Sequence, residues 1–215
     1  MPFFSFSAIT RSFAHTKASI STVLICLLLT ACASSDVPPL QSRNIALGFD
    51  HMAPIALRVQ DVIIENQFVD QTAPPAIGYL MPQPPAAAMA AWAKHRLLAT
   101  GQGHHILKVT IENAAATETE NPTDASVSSW LTVDQAETTK IAYDVTFRMM
   151  AIGTGQETAR MTISNWKSTT IPDDASINAR EWIWFELLEQ TIADFNAKFN
   201  AAAPEYLGSY MLPAP

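Results

Sequence analysis

Lys140-Ile141-Ala142-Tyr143-Asp144-Val145-Thr146-Phe147-Arg148-Met149 is the stretch from which the fold can be read. Ile141, Tyr143, Val145, Phe147 and Met149 stand at every second position, with Lys140, Asp144, Thr146 and Arg148 between them. Side chains alternate across an extended chain, so this spacing predicts a strand with one buried and one wet face. Gly153-Thr154-Gly155 reads as a hairpin turn, because glycine takes positive φ without a steric penalty. Ala159, Met161 and Ile163 then make the return strand. Upstream, Leu107, Val109 and Ile111 alternate with Lys108, Thr110 and Glu112 in a further strand.

Two helices frame these strands. Residues 86–99 read as one: Pro85 suits a first helical turn, and Met89, Trp92, Ala93, Arg96 and Leu97 fall on one face. Gly101 and Gly103 are expected to end it. Residues 176–202 read as a longer helix, with Asp173 and Asp174 near its positive end and Pro204 closing it. Its seam is Ile177, Trp184, Leu188, Thr191, Ile192, Phe195 and Phe199. Trp182, Ile183, Phe185 and Leu187 broaden the apolar surface of the N-terminal half, which is then either covered twice or free to bind a partner.

The first strand is expected over Ile55–Ile64, with a bulge or two-sided cover at Val62-Ile63-Ile64. Residues 115–139 read as a polar connection with a possible short strand from Val127 to Val133. The order strand, helix, strand, strand, strand, helix predicts an α+β fold (β-α-β-β-β-α). It has a mostly antiparallel sheet, two helices on one face and the other face open.

The chain begins differently. Leu29-Thr30-Ala31-Cys32 follows the apolar run Val23-Leu24-Ile25-Cys26-Leu27-Leu28, and Arg11, His15 and Lys17 precede it with no acid before Asp36. That is the pattern of a secretory signal ending in a lipobox, whose cysteine thiol takes up diacylglycerol. An ordinary cleaved signal peptide and an uncleaved signal anchor are the alternatives. The apolar stretch from Ile20 to Ala31 is short of the roughly 20 residues that span a bilayer. The expected organisation is a signal peptide over 1–31, an acylated N-terminus and flexible linker over 32–53, and one periplasmic domain over 54–215. The only non-protein groups expected are the covalent diacylglycerol and N-acyl lipid on Cys32.

Removing residues 1–31 takes two cations and no acid from 13 basic and 20 acidic residues, leaving a charge of about −9. Scattered cations on an acidic body argue against nucleic acid as a partner. With Cys26 lost and Cys32 acylated, no thiol remains for a disulfide, metal or redox site. No nucleophile elbow, phosphate loop or zinc-helix motif occurs, and His104-His105 point to opposite faces of a strand. These observations predict a non-enzymatic protein.

The lipobox, the element order and the helix over residues 180–200 resemble the periplasmic lipoproteins that assist envelope lipid transport. Two groups are meant: the LptE-like lipoproteins and the PqiC-like ABC-transport auxiliary lipoproteins. Only Cys32 carries over residue by residue. The resemblance implies an accessory or assembly component of an envelope transport machine, anchored in the outer membrane, with Ala33 after the cysteine in place of an inner-membrane aspartate. It also implies a β-barrel, secretin or ABC/MCE transporter as partner. Trp182, Trp184 and Phe185 are the candidate partner surface. Lys108, Lys140 and Arg148, within a wet set that also includes Arg160 and Lys167, are candidate contacts for an anionic ligand. A lipid- or glycan-binding module that touches cargo directly is the alternative reading.

Overall fold

In the computed structural model, residues 46–121 and 135–213 are described. Cys32, its signal, and the possible strand over 127–133 lie outside them. Six strands and two long helices follow in order: β1 (Ile55–Leu57), β2 (Asp61–Asn66), α1 (Pro85–Arg96), β3 (Leu97–Ala99), β4 (His105–Glu120), β5 (Gln135–Ala151), β6 (Glu157–Pro172) and α2 (Ile177–Tyr206). The main sheet runs β2-β4-β5-β6, antiparallel except for the parallel pair β2–β4; β1 and β3 form a separate parallel pair. The class is α+β, with both helices on one face of the main sheet.

The alternation in β5 is what builds the core. Ile141, Tyr143, Val145, Phe147 and Met149 are all buried and face the helices. Trp92 of α1 stands edge-on to Phe195 and Phe199 of α2, with centroids 5.0 and 5.3 Å away, and edge-on to Phe147 at 6.4 Å. Burying such rings contributes about 1.5–3 kcal/mol each, before the further gain from their edge-to-face geometry. Polar groups within this layer are paired. The Tyr143 hydroxyl donates to the Pro85 carbonyl at 3.0 Å, and burial pushes its pKa well above the ordinary value. Arg96 is buried too: its Nε and Nη2 donate to Asn196 and Asn200 at 3.1 and 2.9 Å, and Trp92 Nε1 donates to the same Asn196 oxygen.

Several expectations need correction. The strand expected over Ile55–Ile64 is two strands in different sheets, broken at Arg58–Gln60, and β2 carries no bulge against β4. The helix expected over 86–99 stops at Arg96, because Leu97–Ala99 gain a strand partner in β1. Gly103 serves a close approach in place of a helix cap: its φ is +110°, and a Cβ there would lie 2.7 Å from the Arg58 carbonyl oxygen. β4 continues to Glu120 and β5 starts at Gln135, so much of the expected polar connection is strand. α2 runs through Pro204 to Tyr206. Ile177, placed in the buried seam, is 78 % exposed at the first turn. Within the stretch read as linker, Phe49 is buried, Met52 packs on the core and Leu47 N–H donates to Gln83.

One irregularity matters beyond β4 itself. The β4–β5 register shifts between Ile111 and Asn113. A bulge reverses which face each later residue occupies. Ala114, Ala116 and Glu118 therefore join Leu107, Val109 and Ile111 on the helix side.

Candidate functional surface

The face of the sheet away from the helices is where the sequence-predicted cations gather. Lys108 is paired in register with Arg148, and Arg148 with Arg160, so three cations stand side by side across β4, β5 and β6. Like charges directly opposite one another destabilise a sheet. The outer two are compensated: Lys108 Nζ lies 2.8 Å from Glu65, and the Arg160 fork donates to both Glu157 oxygens at 2.7 and 2.9 Å. Hydrogen bonding from Arg160 holds the Glu157 carboxyl below its ordinary pKa, and the same contact raises that of Arg160.

The central cation is not compensated in this way. Arg148 Nη2 donates to the Thr110 hydroxyl at 3.1 Å, its Nε is buried without a partner, and no described carboxylate lies within 4 Å of it. The next row along the strands is Thr110, Thr146 and Thr162, with the last two hydroxyls 3.0 Å apart. Thr110 and Thr146 are buried and their hydroxyls engaged by Arg148 and Thr162, so the donors that this face offers a phosphate or carboxylate group are the cations.

Lys140 is on the same face but four rows from Arg148, its ammonium 4.8 Å from the centre of the Trp166 ring. Trp166 is 60 % exposed. Lys167 does not belong to the set. It pairs in register with Ile141 and so occupies the helix side; strand parity, not charge, decides that.

The proposed aromatic surface of α2 divides. Trp184 is 6 % exposed and donates to Glu118 at 3.2 Å, so it is a core residue and not a partner contact. Trp182 is 39 % exposed and Phe185 half-buried, with ring centres 6.2 Å apart, and Trp182 Nε1 donates to Glu186. Glu118 is the hub that alternation alone missed. It accepts from Trp184, from Thr139 at 2.7 Å and from Arg180 at 2.6 Å, while Arg180 also bonds Glu137. Only the bulge in β4 brings it to the helix side.

Two shallow clefts flank Pro74–Ala76. One, about 260 Å³, is lined by Tyr79, Leu80, Glu118, Glu120 and Glu137; the other, about 220 Å³, by Phe68, Asp70, Ala115 and Thr117 among others. Neither meets the Arg148 row. Among the described residues no group of three His, Cys, Asp or Glu could hold a metal, and no helix is long and apolar enough to cross a membrane. His105 packs edge-on against Tyr210 at 5.0 Å while His104 is exposed.

No family model and no curated protein sequence matches the chain. Among solved structures it is similar to a minor lipoprotein from Acinetobacter baumannii, at 10% identity and a TM-score of 0.36, covering 74% of this chain and 99% of that one. It is similar to rare lipoprotein B from Shewanella oneidensis at 8% identity and 0.35, covering 67% and 95%. A lipoprotein from Neisseria meningitidis follows at 12% identity and 0.20, covering 66% and 99%. All three are bacterial lipoproteins.

Proposed function

We propose that this chain is a non-enzymatic accessory component of an envelope transport machine, tethered through acylated Cys32 to the outer membrane and facing the periplasm. The observation that carries the reading is the conjunction of a lipobox with a domain whose second sheet face, among the described residues, bears no helix. A tethered domain keeps such a face available to a membrane-bound partner. The acidic body gives no electrostatic hold on anionic lipid, so the attachment rests on the acyl chains.

Deleting the gene tests this reading in the host. The barrier to detergent and to large apolar antibiotics should weaken, and the intact chain should restore it where Cys32→Ser does not. An unchanged barrier in the deletion strain would overturn the proposal.

A second reading is favoured by one specific feature, Arg148 between Lys108 and Arg160, which has no carboxylate within 4 Å among the described residues and a buried, unpartnered Nε. In this reading the domain itself holds an anionic headgroup of lipid cargo, on Arg148 with Lys108 and Arg160 beside it. Titrating the detergent-solubilised acylated protein with dihexanoyl phosphatidic acid and with inorganic phosphate separates the sources. Saturable binding of the lipid alone, lost in Arg148→Met, supports cargo contact. Equal binding of both limits the site to phosphate, and no binding of either removes it.

A further inference from the structure

β6 is an edge strand, and it is long. Its pairing with β5 runs without interruption from Ala159 to Ile171. No strand lies on its other side among the described residues. Sheets usually blunt such an edge with proline, a bulge or an inward charge, because a row of free amides and carbonyls invites another strand. Here the only proline is Pro172 at the end, Arg160 is engaged with Glu157, and the one lysine that reaches an edge carbonyl, Lys198 at Ser164, leaves the amides of the row open.

Which groups are free follows from the register. The Met149 carbonyl faces β6, since it accepts from the Thr158 hydroxyl at 3.2 Å. Odd-numbered residues of β5 therefore bond β6 and, through the register, odd-numbered residues of β6 return those bonds. Arg160, Thr162, Ser164, Trp166, Ser168 and Thr170 then turn their N–H and C=O groups to the free edge. The Lys198 ammonium, 3.4 Å from the Ser164 carbonyl oxygen, agrees with that direction.

Trp166 stands in the middle of this row. Lys140, which approaches one face of its ring, belongs to β5. The other ring face is thus turned toward the edge. Ser164 and Ser168 flank it on the same sheet face and are small, so a strand added at the edge could place a bulky side chain opposite the indole at about 5 Å, the geometry of a favourable cross-strand pair.

We infer that the β6 edge accepts an extended segment of another envelope protein by strand addition, with an aliphatic or aromatic residue of that segment packed on Trp166. Main-chain hydrogen bonds supply the affinity and the indole the register. A second copy of this chain fits less well. α2 packs chiefly over β6, so two copies joined edge to edge with helices on one side would bring their α2 axes to about 5 Å, where helices need 8–10 Å. The inference rests on the accessory-component reading and names the surface and the mode of contact.

The test places a photo-crosslinking amino acid at Thr162 or Ser168 in the full acylated chain in its own envelope, with Trp182 and Arg148 as comparison positions. The expected result is a crosslink from Thr162 and Ser168 to one extended peptide of a different protein, mapped by mass spectrometry. Adding Ser164→Pro or Trp166→Ala should reduce the yield at least tenfold. Ser164→Pro removes an outward N–H and leaves the bonds to β5, so the purified variant should melt within about 3 °C of the parent. If it unfolds, Trp166→Ala carries the test alone. Crosslinks to a second copy, or to glycan or lipid only, overturn the inference. Crosslinks from Trp182 or Arg148 to an envelope protein, with none from β6, overturn it while leaving the accessory reading intact. No protein crosslink at any position overturns both.

Discussion

The two faces of the β2-β4-β5-β6 sheet come from the same residues taken alternately, yet they are built by different rules. On the helix side, Trp92, Phe147, Phe195 and Phe199 interlock and Ile141, Tyr143, Val145, Phe147 and Met149 of β5 are buried. On the other side, cations stand opposite cations and threonines opposite threonines, with hydrogen bonds and ion pairs in place of packing. The first arrangement contributes stability. The second has the like-charge pairs that a sheet selected for stability alone would avoid.

The contrast can be broken most forcefully from the helix side. Phe195→Ala should cost about 3–5 kcal/mol, since α1 and β5 cannot both close on the cavity it leaves. Denaturant unfolding would measure this, and a loss under 1 kcal/mol would mean that the aromatic layer is not the core. A middle-sized effect is expected at Asn196→Leu, which strands the Trp92 indole and Arg96 Nε donors; about 1–3 kcal/mol follows from burying them unpaired.

The pH response sharpens the same comparison. Tyr143 is neutral in the fold with its pKa raised by burial, so its contribution is complete below its unfolded pKa near 10 and is lost as pH rises through the higher folded value. Melting temperature should hold up to about pH 10 and fall above it, and Tyr143→Phe should flatten that fall. A parallel decline in both proteins would place the alkaline sensitivity elsewhere.

The open face should give the smallest stability effect. Arg148→Met removes two like-charge neighbours and one hydrogen bond to Thr110, so its stability should stay within about 0.5 kcal/mol of the parent. A destabilisation above 2 kcal/mol would make Arg148 a structural residue and remove the distinction between the faces.

Strict alternation made β5 from Lys140 onward, the first half of β6 and the first half of β4 legible, because a period of two needs no partner to be seen. The buried face of α1 was legible for the same reason, through its i, i+3, i+4 spacing. What escaped were features set by distant contacts. Leu97–Ala99 leave the helix because β1 lies beside them, and residues 113–120 look polar and loop-like until β5 pairs them. Helical spacing put Trp184 in the seam and Trp182 beside it, but did not show that Trp184 is sunk onto Glu118 and so is unavailable as a surface, while Trp182 is exposed.

Local patterns in the sequence by themselves determined the strand and helix periods and the class of the fold, since each depends on residues within a few positions of one another. Tertiary structure alone decided the rest: that the β4 bulge turns Glu118 toward Arg180, that Lys167 leaves the cation set, and that Lys108, Arg148 and Arg160 form one row. The physical reason is register. Hydrogen bonding between strands brings residues dozens of positions apart to within about 5 Å, and a single extra residue changes which face they share.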